Sequence, residues 1–460
     1  MPRIICLVIF AFSFAYGIAQ RNTVQYWLTT SDRSQLLTRH TAAMQPIAGE
    51  KETGIVVDES KKYQAIDGFG FALTGGSAQL VIRMDAADRK KLLAEVFGNR
   101  SGGIAVSYLR VSIGSSDLNE RVFTYDDMAE GKTDGQLTHF DMQDDKKDVI
   151  PLLKEILAIN PSIKILGSPW SAPAWMKTNR QMKAGSLQKQ YYPVYARYFV
   201  KYIRAMQKEG IRIDAITIQN EPLNENNTPS MKMLATEQLV FIKDDLGPLF
   251  RREGIKTKII LYDHNCDDPQ YPLTILNDPA AAKYVNGSGF HLYGGKIEAM
   301  SEVHDKHQDK KLYFTEQMVI DGQGFDIGEQ VARLIIGATR NWSRNVLLWN
   351  LAADKDNKPH TDNGGCTMCE GALTINGNQF SRNLAYYVVA QASRFVPPGS
   401  VRIMSNQTDS LRNVAFKTPG GKRVLILANP SASKQSFRVF TGGKTFSGDL
   451  EAGGAATYFW

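Results

Sequence analysis

The sequence predicts an α/β protein, a (β/α)8 TIM barrel with an attached β-sandwich domain built from both termini. Between Gln64 and Asn350 short apolar runs alternate with amphipathic stretches, as parallel strands alternate with the helices that join them. Eight such runs occur, and eight strands close a barrel of roughly 250 residues or more. Beyond Pro397 and Pro398 come short alternating strands separated by Gly-, Pro- and Ser-rich turns, which are typical of a β-sandwich.

The eight apolar runs place the barrel strands, because each is followed by Gly, Pro, Asn or polar residues before the next helical pattern begins. The runs end near Phe71, Arg110, Ser168, Gln219, Asp263, His291, Thr315 and Trp349. Amphipathic spacing predicts helices over Asp85–Phe97, Asp144–Ile159, Tyr192–Glu209 and Thr236–Arg252, and a last helix over Phe380–Phe395.

The β-domain needs strands from both ends of the chain, because the C-terminal strands VAFKT, RVLILAN, SFRVF and AATYFW are too few to complete it. The extended segments Thr23–Leu28 and Thr53–Val57 are expected to supply the others. The predicted organisation is a signal peptide over 1–19, N-terminal sandwich strands over 20–62, a catalytic barrel over 63–395 and the C-terminal sandwich over 396–460.

The N-terminal sequence MPRIICLVIFAFSFAYGIA has the form of a secretory signal peptide, with Arg3 before an apolar stretch and small residues before Gln20. A membrane anchor is the weaker interpretation, since Ser13, Tyr16 and Gly17 interrupt the stretch and leave it short for a span. No later segment of the sequence is expected to cross a bilayer. The sequence therefore predicts a secreted or periplasmic protein.

The net charge of +7 and the isoelectric point near 9.0 are compatible with an acidic partner. Lys and Arg are scattered, however, partly as helix-surface groups such as Arg89, Lys90 and Lys91, and a solvated face explains them. No nucleic-acid-binding motif accompanies the charge, so no nucleic-acid partner is expected.

The four cysteines suggest one local disulfide. Cys6 would leave with the signal peptide, and it precedes the apolar stretch, which argues against lipid anchoring. Cys366 and Cys369 form a CxxC inside NGGCTMCEG, which an oxidising compartment would close as a disulfide. A structural zinc site normally needs four ligands, and no second pair is present, so no metal is predicted. Cys266 is expected to be an unpaired buried thiol.

Two glutamates stand at the ends of predicted strands: Glu221 follows AITIQN and Glu316 follows KLYFT. All strands of a barrel end at the same face, so these acids are expected to meet over one pocket. Cleavage of a glycosidic bond needs such a pair, one group to protonate the departing oxygen and one carboxylate to attack the anomeric carbon or activate water. A turn or helix start explains either acid alone, but together they predict a sugar hydrolase. Four further acids lie near strand ends or loops, where most acids are merely solvated: Asp117, Glu225, Asp263 and Glu329.

Aromatic and polar residues at other strand ends are candidates for binding a sugar. Trp170 and Trp349 close their strands, where an indole can stack on a pyranose ring, whereas Trp175 is equally well explained as a core residue. The polar candidates are Arg110 and Asp117 after the second run and His291 and Tyr293 after the sixth.

The motifs DGFGFALTGGSA, LRVSIGSSD, GSPWSAPAWMKTN, QNEP, FHLY, FTEQ and LLWNL together resemble glycoside hydrolase family 30, which includes acid β-glucosidase (glucosylceramidase) and the β-1,6-glucanases. The match spans nearly the whole chain after the signal peptide, with ordered motifs on seven of the eight predicted strands. The resemblance implies a retaining double displacement on a (β/α)8 barrel with a β-sandwich, and it implies no metal or organic cofactor.

The resemblance also assigns roles. Glu316 matches the nucleophile, Glu221 the acid/base, and Asn220 the residue that hydrogen-bonds the sugar 2-hydroxyl. The positions that match the subsite for the non-reducing sugar are Arg110, Asp117, Trp170, His291, Tyr293 and Trp349. In these roles Glu316 must stay ionised, so donors such as Arg110 or Tyr293 are expected to lower its pKa, while Glu221 must hold its proton near neutrality.

The expected substrate is β-1,6-glucan. The loop LNENNTPSM after Glu221 is polar and Asn-rich, which suits a second sugar better than ceramide, and it is similar to the β-1,6-glucanase branch of the family. Glucosylceramide or another β-glucoside or β-xylan is the alternative within the family. A catalytically silent carbohydrate-binding protein is the alternative from another class, and the two intact glutamates argue against it.

Overall fold

A computed structural model describes residues 23–47, 53–99, 102–322, 324–408 and 410–460. The predicted signal peptide over 1–19 lies outside these residues. The chain divides into two compact units, and each is described by itself. One contains the described residues up to Ala65 together with Phe325–Ile336 and Gly399–Trp460. The other contains Ile66–Gly324 and Gly337–Pro398.

The strands of the described residues are, in chain order, β1 Thr23–Thr29, β2 Thr38–Ala43, β3 Gln45–Pro46, β4 Ile55–Ala65, β5 Gly68–Leu73, β6 Tyr108–Ser112, β7 Lys164–Ser168, β8 Ala215–Thr217, β9 Lys258–Cys266, β10 Val285–Gly295, β11 Lys311–Glu316, β12 Ser343–Leu348, β13 Ala352–Ala353, β14 Leu373–Asn376, β15 Gln379–Arg382, β16 Val401–Ser405, β17 Arg412–Lys417, β18 Arg423–Ala428, β19 Gln435–Thr441, β20 Lys444–Leu450 and β21 Ala455–Phe459.

The α-helices of the described residues are α1 Gly75–Ile82, α2 Ala86–Phe97, α3 Val149–Ile159, α4 Tyr192–Lys208, α5 Ala235–Val240, α6 Gly247–Arg252, α7 Gln270–Leu276, α8 Pro279–Ala282, α9 Ala299–Lys306, α10 Ile327–Gln330, α11 Gly337–Arg340 and α12 Leu384–Ser393. Short 3-10 turns cover Ala174–Met176 and Lys189–Tyr191. Phe241–Leu246 and Val331–Ile336 are π-helical. A search of the described helices for a membrane-spanning segment finds none with the necessary length and apolarity.

Strands β5 to β12 form a closed parallel barrel, which confirms the predicted barrel, and each strand coincides with one predicted run. Buried side chains fill the interior between the strands, so the barrel is a packed core and not a pore. One buried cluster consists of Tyr108, Leu166, Ala215, Ile260, Tyr313 and Leu347. Gly70 permits the close pairing of β5 with β6, because a Cβ there would lie 1.9 Å from the carbonyl oxygen of Tyr108.

The other unit is a β-sandwich that contains strands from both ends of the sequence, as predicted. Its strand order is β2, β1, β21, β18, β17, β16, β4, β19, β20, β3, so the N-terminal strand β4 lies between C-terminal strands, and β2, β1 and β3 lie at the two edges of the sheet. Its core includes Val24, Ile55, Leu425 and Val439. The unit also contains Phe325–Ile336, a segment that the expected boundaries assign to the barrel domain.

The expected start of the last helix is wrong. Residues Gln379–Arg382 are strand β15, which pairs with β14 across the two-residue turn Gly377-Asn378, and α12 begins at Leu384. Gly377 has a φ of 59°, a conformation that hairpin turns require and glycine adopts without strain. The helix expected from Asp144 also begins later. Helix α3 begins at Val149, whose backbone N–H donates to the Asp148 side chain.

Candidate active site

Arg110, the central residue of β6, links side chains from four other strands of the barrel and the residues that follow them. Its side chain is 0% exposed. The guanidinium donates hydrogen bonds, all of 2.5 to 3.1 Å, to Ser168 Oγ, Asn220 Oδ1, Asp263 Oδ2 and Glu316 Oε2. Arginine suits this position because its planar head presents five N–H donors in a fixed geometry. The single side chain therefore fixes the positions of Asn220 and Glu316 relative to each other.

Asp263, on β9, accepts hydrogen bonds from several of the residues around Arg110. Its Oδ2 accepts from Arg110 and from Thr217 Oγ1 at 2.7 Å. Its Oδ1 accepts from Thr315 Oγ1 at 2.6 Å and lies 3.2 Å from His291 Nε2. Burial opposes ionisation, but Arg110 and His291 outweigh it and hold the pKa of Asp263 well below its ordinary value. Asp263 is thus a buried anion.

The expectation that Asp263 is a solvated acid is wrong. The relevant signal was its place at the end of an apolar run, which Glu221 and Glu316 share. Asp263 also has a φ of 64°, in the left-handed region that non-glycine residues seldom adopt. Such strain persists where surrounding contacts enforce it, and no local sequence pattern indicates it.

Glu316 ends β11 and is held by two donors. Its Oε1 accepts from Tyr293 Oη at 2.9 Å, and its Oε2 accepts from Arg110 Nη1 at 2.5 Å. Burial nevertheless raises the pKa of Glu316, with His291 and Arg110 opposing the rise and Glu221 adding to it. The expectation of a lowered pKa is therefore wrong, because it counted the donors and left out desolvation and the second glutamate.

Glu221 follows β8 with a φ of 44°. Its Oε1 lies 3.1 Å from His291 Nδ1, and its Oε2 accepts from Asn224 Nδ2 at 2.7 Å. Burial would raise the pKa of Glu221, but the hydrogen bond and charge of His291 outweigh it, and the pKa falls to about 2. The expectation that Glu221 itself holds a proton near neutrality is thus wrong for the substrate-free protein.

His291 holds that proton instead. Burial lowers its pKa, but the carboxylates of Glu316, Asp263 and Glu221 together raise the pKa of His291 to about 9. His291 Nδ1 lies 3.1 Å from Glu221 Oε1, so the two side chains titrate as a pair. At neutral pH the pair has one ionisable proton, which resides on the imidazole.

Glu221, His291 and Glu316 each offer a ligand atom within 4.8 Å of the others, a spacing that would suit a metal ion. Each of these side chains already has a hydrogen-bond partner in the protein. The Arg110 guanidinium in the same cluster would also repel a cation.

Asp117 is buried near both glutamates. Burial and the charges of Glu316 and Glu221 raise the pKa of Asp117 to about 8. At neutral pH it is therefore a carboxylic acid with one O–H group to donate.

Trp170 and Trp349 stack on each other with ring centroids 5.3 Å apart. The Arg110 guanidinium lies 4.8 Å from the Trp170 ring. Cys369 packs in the same apolar cluster and forms a disulfide with Cys366, the predicted pairing. Trp175 donates from Nε1 to the carbonyl oxygen of Asp126 at 2.9 Å and is a core residue.

The candidate residues thus fall into three groups. Hydrogen bonds, with Asp263 as the connecting residue, join six of them into one network: Arg110, Asn220, Glu221, His291, Tyr293 and Glu316. The tryptophan pair flanks this network at Arg110, and Asp117 interacts with it through charge. Cys266 carries a free, buried thiol, as expected.

Comparison with family models and curated proteins yields consistent matches. Residues 66–396 match the model of the glycosyl hydrolase family 30 TIM-barrel domain, and residues 399–458 match that of the family 30 β-sandwich domain. The chain is 33% identical to endo-1,6-β-D-glucanase neg1 of Aspergillus fumigatus over 80% of this chain and 78% of the relative. It is 29% identical to lysosomal acid glucosylceramidase of Mus musculus over 84% and 79%.

Two solved structures are similar over nearly the whole chain. The endo-β1,6-glucanase BT3312 is 34% identical and has a TM-score of 0.86, and the alignment covers 95% of this chain and 99% of that chain. SrfJ from Salmonella typhimurium is 26% identical, with a TM-score of 0.88 over the same shares.

Proposed function

We propose that this chain, a glycoside hydrolase that belongs to glycosyl hydrolase family 30, cleaves β-1,6-linked glucan with retention of configuration at the anomeric carbon. The observation that carries the mechanism is the separation of the two glutamates. Carboxylate oxygens of Glu221 and Glu316 lie within 4.8 Å of each other. Retaining glycosidases hold their two carboxyl groups about 5 Å apart, whereas inverting enzymes need roughly 6.5 Å or more to admit a water molecule.

In the first step, Glu316 attacks the anomeric carbon while Glu221 gives a proton to the departing glycosidic oxygen. In the second step, Glu221 takes a proton from water, and the resulting oxygen nucleophile displaces Glu316 from the sugar. Arg110 and Tyr293 aim the Glu316 carboxylate through their hydrogen bonds. The first step needs a proton on Glu221, and His291 is the adjacent group that carries it beforehand.

The remaining site residues bind the sugar in this proposal. Arg110 fixes the Asn220 side chain by donating to Oδ1 at 2.7 Å, which leaves the amide N–H groups to donate to the 2-hydroxyl. The neutral Asp117 donates to a second hydroxyl. The Trp170 and Trp349 rings form the apolar wall beside the sugar ring.

The assignment to β-1,6-glucan draws on two kinds of support. The curated relatives include endo-1,6-β-D-glucanases from Aspergillus fumigatus and Trichoderma harzianum, each at least 32% identical. The loop that follows Glu221 carries Asn224, Glu225, Asn226 and Asn227, polar groups that match the hydroxyls of a departing sugar chain. Glucosylceramide is the alternative substrate, since lysosomal acid glucosylceramidase is also a relative.

Export is part of the proposal. The disulfide between Cys366 and Cys369 fits an oxidising compartment, as does the predicted signal peptide over 1–19. N-terminal sequencing of protein recovered outside the cytoplasm should begin at or close to Gln20, whereas an intact Met1 would contradict export by this route.

Product analysis tests the function. Purified protein is incubated separately with β-1,6-glucan, β-1,3-glucan, xylan and glucosylceramide, and the products are separated by chromatography and followed by proton NMR. We expect gluco-oligosaccharides from β-1,6-glucan alone, with the β-anomer appearing first. Cleavage of glucosylceramide instead would overturn the substrate, an initial α-anomer would overturn retention, and binding without cleavage would favour the carbohydrate-binding protein.

The pH dependence should reveal the two buried acids of the site. Because the pKa of Asp117 is raised to about 8 and that of His291 to about 9, both hold protons at neutral pH and lose them as the pH rises. We therefore expect kcat/KM for glucan to fall in two steps, near pH 8 and near pH 9. An Asp117→Asn variant, which cannot ionise there, should keep only the step near 9. A profile that is identical in both proteins would exclude Asp117 as the source of the first step.

A further inference from the structure

Lys177 is a buried lysine that the proposed mechanism does not use. It lies just beyond the turn Ala174–Met176 and is 0% exposed. Its ammonium donates to Ser171 Oγ at 2.9 Å, to the carbonyl oxygen of Met182 at 3.2 Å and to that of Ser230 at 2.6 Å. Burial lowers the pKa of Lys177 to about 7, and Glu225 opposes the shift. Burying a charged group is costly unless hydrogen bonds compensate for the lost water, and these three acceptors supply them.

The three acceptors of Lys177 belong to two loops, residues 171–187 after β7 and residues 222–233 after β8, which we call the paired loops. The Ser230 N–H donates to Met182 O at 2.9 Å, and the Lys232 N–H to Gly185 O at 2.8 Å. The Ala184 N–H also donates to Ser230 Oγ at 2.9 Å. Lys177 therefore ties together two loops that already pair through their backbones.

The loop after β8 continues directly from the proposed acid/base. Asn224 donates to Glu221 Oε2 at 2.7 Å, and the Met233 N–H donates to Pro222 O at 2.8 Å. The orientation of the Asn224 amide is fixed, because its Oδ1 accepts from the Asn226 N–H at 2.9 Å. In the proposed mechanism, Glu221 faces the departing glycosidic oxygen. The loop whose Asn224 donates to Glu221 Oε2 therefore lies on the side of the leaving group.

We propose that Lys177 is a positioning residue for the leaving group: by joining the paired loops, it shapes the surface that receives the sugar chain on the reducing side of the cleaved bond. This inference rests on the proposed function and adds a determinant of substrate preference to it. A leaving group that is a glucose chain would contact the paired loops, whereas a small aryl group would not reach across them. The contribution of Lys177 is therefore expected to depend on the leaving group.

The test compares leaving groups at a constant non-reducing side. Wild type, Lys177→Met and Lys177→Gln are assayed on p-nitrophenyl β-gentiobioside and on β-1,6-linked gluco-oligosaccharides of three to five units. For Lys177→Met, we expect kcat/KM on the oligosaccharides to fall about 10- to 100-fold, the effect of a slightly misplaced substrate, and less than about threefold on the aryl substrate. Lys177→Gln keeps two N–H donors and should lie between wild type and Lys177→Met.

Lys189→Met is the matched control, since Lys189 is an exposed lysine a short way along the same connection, and both substrate classes should be cleaved as by wild type. Equal losses on both substrates in Lys177→Met and Lys177→Gln would mean a merely structural role and would overturn the inference. Unchanged cleavage of both would overturn it as well. Failure of the wild type on every β-1,6-linked oligosaccharide, with the aryl substrate cleaved, would instead overturn the proposed glucan substrate.

Discussion

Glu316→Gln is expected to lower the hydrolysis of β-1,6-glucan by about 10⁴-fold or more, the loss that follows removal of a covalent nucleophile. Glutamine is nearly isosteric with glutamate and can still meet Tyr293 Oη, but it cannot attack the anomeric carbon. Initial rates of reducing-sugar release measure the loss. Glu329→Gln changes a glutamate in helix α10 of the sandwich unit, outside the network, and it should behave as wild type. Residual activity of Glu316→Gln above about one per cent would contradict the assignment.

The two glutamates can be distinguished by azide. In Glu221→Ala, azide should attack the glycosyl-enzyme from the side that water normally uses and restore turnover of dinitrophenyl β-gentiobioside, with a β-glycosyl azide as product. In Glu316→Ala, azide replaces the nucleophile itself, so the product should be the α-glycosyl azide. This comparison is needed because the pKa of Glu221 is lowered and that of Glu316 raised in the substrate-free protein. The reverse pattern of products would exchange their roles.

Asp263→Ala should cost about 3 to 5 kcal/mol of stability, because it leaves the Arg110 guanidinium buried without its fully buried partner. Activity should also be lost, since Arg110 and His291 both depend on Asp263 for their positions. The measurement is the urea midpoint of the barrel unit, followed by tryptophan fluorescence. The control is Asp267→Ala, because Asp267 is an exposed acid directly after β9. This variant should change the free energy of unfolding by less than about 0.5 kcal/mol.

A double variant separates the two effects of this ion pair. Arg110→Met with Asp263→Leu replaces both charges by apolar groups, so much of the lost stability should return. Activity should not return, because Glu316 and Asn220 lose the donor that aims them. If Asp263→Ala is as stable as wild type, Asp263 does not neutralise Arg110 in the way proposed.

The strand ends of the barrel were predictable from sequence because parallel strands buried on both faces form short apolar runs with clear ends. The placement of Glu221 and Glu316 followed from those ends. Asp263 has the same sequence signature, yet its burial depends on Arg110 and His291, which are distant in the chain. The pKa of His291 likewise depends on three carboxylates that only the folded barrel brings together.

Two differences in the fold have local causes. The first residues of the helix expected from Phe380 belong to a hairpin instead, because the Gly377-Asn378 turn lets β15 pair with β14. The segment Phe325–Ile336 has an ordinary helical pattern, but the Gly328 N–H donates to the carbonyl oxygen of Gly453 in the sandwich unit. Hydrophobic periodicity predicts that such a segment is helical, but it does not predict the unit against which the helix packs.

The sandwich imposes an order on biosynthesis. Strand β1 pairs with β2 on one edge and with β21 on the other. Gln25 and Phe459 are paired neighbours across β1 and β21, although they lie near opposite ends of the sequence. While a ribosome makes the barrel, that edge of β1 has no partner, and unpaired strand edges promote association with other chains. The barrel can close before the last strands emerge, whereas the sandwich is completed only after translation of β21. In a nascent chain, this edge of β1 therefore stays without its native partner until the last strand has been made.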